Sequence, residues 1–350
     1  MSDPAFPLPR LDGRRVAVTG ATGHLGTNLV PMLCAAGARV RCVLHENAQV
    51  PLPEGVESAR GDVREPETLR RAFEGAELVF HLAARISITG PQGGLVDAIN
   101  VQGAQNVAEA AVAAGARRLV HVSSVHAFDH GDPAQPLTES APRPTPRHPA
   151  YDRSKAAGEA AVRAVAARGG LEVVVANPTG IVGPGDPAPS RMGQVLLDLY
   201  HRRLPALTPG GFDWVDVRDV SGALLALSTH GRDGEGYLLG GGWTSLVDLA
   251  RAAESVTGVR APRMAVPAWL CSATAPLVAT VQGWLKQEPL YTSEALHAVF
   301  KGSRNVSQAK ARADFGYQPR PLADTLRDAY ADFDRRGKLR GRPPKALTHG

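Results

Sequence analysis

Hydrophobic residues in the first half of the chain follow two alternating periods. Short apolar runs of strand length occur in RRVAVTG, ARVRCVL, VESARGD, AELVFHLAA, RRLVHVSS and LEVVVANP. Between them, apolar residues recur about four apart, as with Leu25, Leu29 and Leu33, which predicts amphipathic helices there, over about 66–73 and 94–114, and from Tyr151 onward. Strands that alternate with helices pair in parallel, so the sequence predicts an α/β fold built on a doubly wound parallel sheet.

The pattern loosens after Pro178. A Gly/Pro-rich stretch, TGIVGPGDPAPS, predicts a loop, and a helix is expected over about 194–202. FDWVDVRDV is typical of a strand that feeds a helix, GEGYLLGG is typical of a further strand, and the chain from Thr244 onward predicts mostly helices. We therefore expect a smaller, mostly helical, discontinuous C-terminal domain that covers a cleft.

Composition narrows the class of protein. Of 350 residues, 43% are hydrophobic, which is enough for a sizeable core in one large domain or two fused ones. The net charge of +5 is a mild bias that suits anionic small molecules. Cys34, Cys42 and Cys271 show no metal-ligand spacing, so free thiols and no metal site are expected. The N-terminal residues lack a signal-peptide pattern, which favours a cytoplasmic location.

Two segments raise the question of other partners. Residues 266–285 approach the length of a membrane span, but Pro276 and Gln282 interrupt them. A helix within or on the protein is the first expectation, and contact with a membrane surface is the alternative. In the tail, residues 340–343 (RGRP) resemble an AT-hook, yet a disordered basic tail that aids solubility is the simpler interpretation. We expect no nucleic-acid partner.

The glycine-rich stretch TGATGHLG follows the first predicted strand and opens the first helix. Its spacing, G-x-x-G-x-x-G, lets Gly20 make a tight turn, Gly23 admit a pyrophosphate close to the backbone, and Gly26 bring the helix close to the sheet. Three glycines also fit an ordinary strand–turn–helix, but their place in the chain favours a nucleotide bound at the helix N-terminus. Other residues of this turn expected to contact the cofactor are Thr22, His24 and Leu25.

The same motif predicts how the chain divides into domains. A Rossmann dinucleotide-binding domain is expected over 12–177, with a returning segment at about 212–232. A substrate-binding domain would then comprise 178–211 and 233–335, followed by the basic tail from 336 to the end.

Small and polar residues mark the ends of the later strands, where ligands of such sheets bind. Asp62 can accept a hydrogen bond from an adenine amino group, although it could equally cap the helix that follows. The small residues of HLAA would let a flat ring lie against the backbone, whereas His81 itself is expected to pack in the core. The further cofactor contacts predicted at these strand ends are Val63, Leu82, Ala83, Ala84 and Ser123.

Ser124, Tyr151 and Lys155 predict hydride chemistry at a carbonyl. Hydride transfer to a carbonyl leaves an alkoxide that needs a proton, and a tyrosine can supply it if a nearby cation lowers its pKa from about 10. Lys155 lies four residues after Tyr151 on the same helical face, so it could do this and also bind a nicotinamide ribose. The Ser124 hydroxyl would polarise the carbonyl oxygen.

Together these motifs resemble the extended short-chain dehydrogenase/reductase family, whose other name is the NAD-dependent epimerase/dehydratase family. The resemblance runs from about residue 14 to 333, and is strongest to dihydroflavonol-reductase-like and 3β-hydroxysteroid-dehydrogenase-like members. It implies that Ser124 is the catalytic serine and that Pro178 helps to position the nicotinamide. Sugar-nucleotide dehydratases of the family carry Thr-Asp-Glu where this chain has Ser-Val-His at 124–126, so dehydration is not expected.

The substrate side is expected to be lined by RISITG (85–90), the loop near 184–192 and GGFDWVDVR (210–218), with further candidates from the same strand end and from arginines. His126 would face the substrate, where it could hydrogen-bond it or act as an auxiliary acid, or it could simply pack in its loop. Arg85, Arg191 and Arg218 would matter for an anionic substrate, and otherwise would serve as structural ion-pair partners.

The choice between NAD and NADP stays open. His45 stands where NADP-using relatives usually have an arginine at the end of the second strand. Glu46 could bind a free 2′-hydroxyl, which would favour NAD, whereas Arg41 could reach a 2′-phosphate.

We expect a cytoplasmic NAD(P)-dependent oxidoreductase that interconverts a ketone or aldehyde and an alcohol on a small or medium, partly hydrophobic molecule. A homodimer is left open. One alternative is a nucleotide-sugar epimerase with tightly bound NAD. Another is an NAD(P)-sensing binding protein, which the Tyr151–Lys155 pair makes less attractive.

Overall fold

The structure is a computed structural model that describes residues 6–45, 51–204, 206–264, 266 and 293–340. Its strands are β1 (Arg15–Thr19), β2 (Arg39–Leu44), β3 (Glu57–Arg60), β4 (Leu78–His81), β5 (Arg118–Val122), β6 (Glu172–Pro178), β7 (Gly180–Val182), β8 (Gly211–Asp216), β9 (Gly236–Leu239) and β10 (Trp243–Ser245). Seven of them form a parallel sheet in the order β3-β2-β1-β4-β5-β6-β9. The predicted doubly wound α/β fold is confirmed.

The helices alternate with these strands. They are α1 (His24–Ala35), α2 (Pro66–Ala72), α3 (Leu95–Asp97), α4 (Gly103–Ala113), α5 (Ala150–Gly169), α6 (Arg191–Tyr200), α7 (Val217–His230), α8 (Leu246–Thr257), α9 (Ser293–Lys301), α10 (Ala309–Phe315) and α11 (Leu322–Arg335). A π-helical turn, Ala98–Gln102, joins α3 to α4.

Side-chain alternation in the central strand builds two apolar layers. Val16 and Val18 of β1 pack on one face with Leu29 of α1. Ala17 points to the opposite face, where it packs in a cluster with Val107 of α4. Successive strand residues point to opposite faces, so a strand that is apolar throughout must be covered on both sides.

The second half forms a smaller unit beside the carboxyl ends of the large sheet. A three-stranded sheet, β10-β8-β7, lies there with a separate apolar cluster that includes residues of α6, α8 and α11. Two details differ from prediction. The loop after Pro178 contains β7, and α6 begins at Arg191 because Ser190 caps it by accepting a hydrogen bond from Gly193 N at 3.1 Å. The proposed domain boundaries stay a prediction.

Several predictions concern cysteines and segments that the structure describes only in part. Cys34 and Cys42 are free, as predicted, and Cys271 lies outside the described residues. So do Glu46, nearly all of 266–285 and the tail from 341 onward. Within the described ranges, no helix is long and apolar enough to cross a membrane, and no cluster of side chains is arranged to hold a metal ion.

Candidate active site

The glycine-rich loop is shaped by close backbone packing. Gly20 has φ of +70°, and a Cβ there would lie 2.7 Å from Ala83 N, so only glycine fits. A Cβ on Gly26 would meet the Gly20 carbonyl oxygen. Gly23 is exposed and stands at the N-cap of α1, where no side chain caps the helix. The first N–H groups of α1 are therefore available to an anion.

The start of α1 is also bonded to the loop after β7. The His24 Nε2 atom lies 3.1 Å from the Pro184 carbonyl oxygen, and Thr27 Oγ1 donates to the Gly185 carbonyl at 2.6 Å. Asn28 Nδ2 donates to the Pro184 carbonyl at 3.0 Å. The loop that leads into α6 is thereby held against the turn predicted to bind the cofactor.

After the edge strand β3, Asp62 is engaged by Arg64 and lies close to His45. Arg64 Nε donates to both carboxylate oxygens at 3.1 Å, and His45 Nε2 lies 3.3 Å away. The Arg64 guanidinium holds the pKa of Asp62 below its usual value. Asp62 does not cap α2, whose N-cap is Glu65.

The structure decides between the alternatives left open for two arginines. Arg41 does not reach toward a phosphate, because its guanidinium pairs with Glu57 at 2.9 Å and donates to the Glu74 carbonyl, also at 2.9 Å. Arg218 does not face the substrate side. It is 2% exposed and is bound by Asp216 at 2.7 Å and by Asp328 at 2.6 Å.

Helix α5 is positioned by close contact with the π-helical turn. A Cβ on Gly158 would overlap the Asn100 carbonyl oxygen, so glycine allows the two backbones to touch. Asn100 Nδ2 donates to Ser154 Oγ at 3.0 Å and fixes the rotation of α5. Tyr151 and Lys155 consequently both face the same cleft.

Ser124 sits where β5 turns into a short 3-10 turn. Its Oγ accepts from His126 N at 3.2 Å and hydrogen-bonds with the Tyr151 phenol. Asn177 Nδ2 donates to the Ser124 carbonyl at 3.1 Å and to Glu159 Oε1 at 2.6 Å. These two hydrogen bonds connect the turn to β6 and α5. The serine and the phenol thus meet as predicted from the sequence.

The electrostatics of Tyr151 differ from the expectation. Burial raises the pKa of Tyr151 to about 12, although the Ser124 hydrogen bond acts in the opposite direction. Lys155 does not offset this effect, since its Nζ donates to the Val122 carbonyl at 2.9 Å, and burial lowers its own pKa to about 8. Desolvation outweighs the attraction between the two groups when no cofactor charge lies beside them.

One cavity, here called the cofactor cleft, brings most predicted residues together at the carboxyl ends of the strands. The predicted residues in its lining are Gly20, Gly23, His24, Leu25, Gly26, Leu82, Ala84, Ser123, Ser124, His126, Tyr151, Lys155, Pro178 and Arg191. The predicted residues outside that lining are Thr22, His45, Asp62, Val63, Ala83 and Arg85. The Arg85 side chain donates to Gln92 Oε1 at 2.9 Å.

A second cavity, the apolar pocket, adjoins the cofactor cleft. Part of its wall comes from the segments expected on the substrate side, 85–90, 184–192 and 210–218, whereas the contributions of Val195, Leu199 and Leu246 were not predicted. Its apolar lining is contributed by Ile86, Ile88, Met192, Val195, Leu199, Leu204, Leu207, Phe212 and Leu246, and it shares Tyr151 and His126 with the cleft. These side chains come from loops, α6, β8 and the start of α8, so their meeting carries no local sequence signal. Only the amphipathic pattern of α6 indicates a face that needs apolar cover.

His126 also has a partner that sequence reasoning missed. Its Nδ1 lies 3.0 Å from Asp152 Oδ1, and its ring meets the Tyr151 ring edge-on with centroids 5.5 Å apart. Asp152 follows Tyr151 directly in the chain, but nothing in the sequence connects it with residue 126.

The residues of the cofactor cleft fit a dinucleotide. Ser123 Oγ is buried with no partner among the described residues, so a ligand hydroxyl or amide can satisfy it. The uncapped start of α1 suits a pyrophosphate, and Lys155 supplies a buried ammonium beside Tyr151. When bound, a nicotinamide cofactor supplies or accepts the hydride.

Curated relatives match over nearly the full chain. Sterol demethylase protein B of Methylococcus capsulatus is 36% identical, over 92% of this chain and 99% of its own. The 4-hydroxy-2-methyl-3-oxo-4-farnesyl-3,4-dihydroquinoline-1-oxide ketoreductase of Stigmatella aurantiaca is 30% identical, over 90% and 96%. The 3 beta-hydroxysteroid dehydrogenase/Delta 5-->4-isomerase of Mycobacterium tuberculosis is 26% identical, over 87% and 86%.

Solved structures share the fold and the family model matches most of the chain. The crystal structure of gox2253 superposes with a TM-score of 0.78 at 31% identity, covering 93% of this chain and 99% of that one. The Thermus thermophilus UDP-glucose 4-epimerase complex with NAD shares the fold with a TM-score of 0.71 at 23% identity, covering 91% and 99%. The model of the NAD dependent epimerase/dehydratase family matches residues 16–240. The chain belongs to that family, within the extended short-chain dehydrogenases/reductases.

Proposed function

We propose that this protein is an NAD(P)-dependent oxidoreductase that interconverts a secondary alcohol and a ketone on a mainly hydrophobic substrate of sterol size. The observation that most supports this proposal is the apolar pocket, whose lining includes Tyr151. Apolar side chains with a few convergent polar groups are the usual lining for such a ligand.

The chain's own residues have distinct tasks in this proposal. Tyr151 transfers the proton of the substrate hydroxyl, and Ser124, hydrogen-bonded to the phenol, holds the substrate oxygen beside it. Lys155 binds the nicotinamide ribose and keeps positive charge near the phenol. The raised pKa of Tyr151 in the free protein would be lowered by the positive charge of an oxidised nicotinamide held beside the phenol.

The names of full-length relatives support the substrate class. Two of them act on sterols or steroids and a third on a farnesylated quinoline, by their names. The epimerase alternative would need hydrogen-bonding groups for sugar hydroxyls, and the apolar pocket presents mostly aliphatic surface where such a sugar would turn.

The test is a substrate panel of 3-hydroxysterols, ketosteroids, flavonoid ketones and UDP-sugars. Each is assayed with the oxidised and reduced forms of NAD and NADP by following the absorbance of the reduced nicotinamide. We expect turnover of a hydroxysterol or ketosteroid, and none by the Tyr151→Phe variant. Epimerisation of a UDP-sugar by copurified NAD, without added cofactor, would contradict the proposal.

A further inference from the structure

Every turnover of the proposed reaction moves a proton through Tyr151. In the oxidative direction, the phenolate takes the proton of the substrate hydroxyl and must then release it before the next cycle. The inference below rests on the proposed function, because it concerns the path by which this proton reaches solvent.

The protein interior behind Lys155, away from the cofactor cleft, is closed. Lys155 is 4% exposed, and its Nζ donates to the Val122 carbonyl. The buried polar groups nearest in the sheet, Thr19, His81 and His121, are each at most 2% exposed. The region behind Lys155 is therefore desolvated, whereas the cleft that Lys155 and Tyr151 both line is the space that a bound dinucleotide would fill.

The opposite side of Tyr151 is open. The His126 side chain is 29% exposed, and its ring lies edge-on to the Tyr151 ring. His126 lines the cofactor cleft, the apolar pocket and a third, smaller space, here called the polar cavity. At the rim of the polar cavity, Gly131, His297 and Lys301 are exposed, so it leads to the surface.

Asp152 fixes which nitrogen of His126 can carry the proton. A carboxylate only accepts hydrogen bonds, so the 3.0 Å contact requires Nδ1–H to donate to Asp152 Oδ1. The Nε2 atom then has no hydrogen-bond partner among the described residues and is free to exchange a proton. Asp152 is 7% exposed and lies in the first turn of α5, beside Tyr151 in the chain.

Two other histidines of the polar cavity, His130 and His148, are engaged through both ring nitrogens, and the third, His297, lies at the exposed rim. His130 bonds the Val125 carbonyl through Nε2 at 3.2 Å and accepts from Ser303 N through Nδ1 at 2.8 Å. His148 faces Asp129 through Nε2 at 3.4 Å and accepts from Thr145 N through Nδ1. Neither His130 nor His148 therefore has a ring nitrogen available to accept a proton.

We infer that His126, oriented by Asp152, exchanges the proton of Tyr151 with solvent through a bridging water. During oxidation, the phenol O–H proton passes to that water, which gives one of its protons to His126 Nε2. The imidazolium keeps its Nδ1–H bond to Asp152 and releases the Nε2 proton into the polar cavity. Reduction runs the same path in reverse, so no additional reactant is needed.

The charged and titratable groups around His126 set the pH behaviour. Asp152 and Tyr151 face it from α5, and the His130 ring lies 6.0 Å away on the loop after β5. His297 and Lys301 reach the same cavity from α9, and Arg191 shares the apolar pocket with it. Glu294 also lines the apolar pocket, and Asp129 and His148 line the polar cavity. Of all these groups, Asp152 is the one that contacts a ring nitrogen of His126.

The test compares His126→Ala with the parent enzyme on the substrate found in the panel. We expect kcat to fall at least about tenfold, since proton transfer by a positioned side chain contributes such factors. Added imidazole should restore kcat saturably, and the limb of the pH–kcat profile that reports an imidazole group should disappear. Asp152→Asn should retain part of the activity with that limb displaced. The control is His230→Ala, an exposed histidine at the end of α7.

Unchanged kcat in His126→Ala, or a fall that imidazole does not restore and that leaves the pH profile intact, overturns the inference while the proposed function stands. NAD affinity, measured by direct titration, should match the parent in both variants, because neither residue is assigned to the cofactor. A parent enzyme that oxidises or reduces nothing in the panel overturns the proposed function itself, and the inference falls with it.

Discussion

The cofactor cleft and the apolar pocket share Tyr151 but are built in opposite ways. The cleft is assembled from short stretches that are continuous in sequence, each at the end of a strand of one sheet, such as 20–26 and 82–84. The apolar pocket gathers single side chains from elements far apart in the chain, as Ile86, Val195 and Leu246 do. A conserved fold can therefore hold one cofactor while the pocket beside it takes very different substrates.

The same contrast governs how substitutions should act. A side chain added to a glycine of the cleft would meet backbone atoms of the neighbouring segment, and these cannot move aside. Changes in the pocket meet side chains that can move. We therefore expect the cleft variants to lose cofactor binding or chemistry, and the pocket variants to lose only the substrate.

The largest effect on cofactor binding is expected from Gly20→Val. Its side chain would press on the Ala83 backbone at a left-handed φ, which distorts the turn that receives the pyrophosphate. NAD affinity should fall on the order of a thousandfold, about 4 kcal/mol, by isothermal titration. Gly234→Val is the matched control, because Gly234 has φ of +75° but open space around it. If Gly20→Val binds NAD as the parent does, the cleft does not hold the pyrophosphate there.

The Lys155→Met variant should have a lower activity than the parent but, near neutral pH, a higher stability. We expect kcat to fall about a hundredfold, because the ammonium beside the nicotinamide ribose and the phenol is lost. The pKa of Lys155 is depressed to about 8 in the folded protein, so the native state binds fewer protons than the unfolded one between pH 8 and its ordinary pKa.

The free energy of unfolding of the parent should therefore rise with pH above 8, relative to Lys155→Met. Below pH 8, where the parent buries a charge, the methionine variant should be the more stable protein. Chemical denaturation at several pH values measures both effects. A difference between the two proteins that does not change with pH would show that Lys155 carries no perturbed charge.

In the apolar pocket, Val195→Glu should weaken substrate binding alone. A carboxylate placed among aliphatic side chains opposes a hydrophobic ligand by about 2 kcal/mol, which corresponds to a KM about thirtyfold higher. Val195→Leu keeps the surface apolar and should stay within a few-fold of the parent. An unchanged KM in the glutamate variant, or a parallel loss of NAD affinity, would mean that this pocket does not bind the substrate.

The smallest effect is expected from Asp62→Asn. The carboxylate is already bound by Arg64 and His45, and an adenine amino group would add one more hydrogen bond to it. NAD affinity should therefore fall only about threefold to tenfold. A loss as large as that of Gly20→Val would make Asp62 a main anchor of the cofactor, contrary to this account.

Sequence reasoning could group residues of the cofactor cleft where the pattern is local. The glycine spacing, the strand-end Ser124 and the Tyr151–Lys155 pair each lie within one element or turn, so period and chemistry suffice to place them. It could not place Asp152 against His126, because that contact depends on how β5 and α5 pack. It left two uses of Arg218 open, and the structure shows the ion pair with Asp216, whereas the pairing of Arg41 with Glu57 on the neighbouring strand was not predicted.

The pKa shifts of Tyr151 and Lys155 could not be predicted from the sequence, for a related reason. A lysine one helical turn after a tyrosine predicts attraction, but the sign of the net shift depends on burial. Lys155 is turned to a backbone carbonyl and both groups are desolvated, so burial sets the direction of both shifts in the free protein.

The most direct test of the account is single-turnover hydride transfer by Tyr151→Phe, with NAD affinity measured on the same preparation. Phenylalanine keeps the ring and removes only the hydroxyl that accepts and donates the proton. We predict a rate lower by a factor on the order of a thousand or more, with unchanged NAD affinity. A phenylalanine variant that transfers hydride as fast as the parent would contradict the role given to this tyrosine.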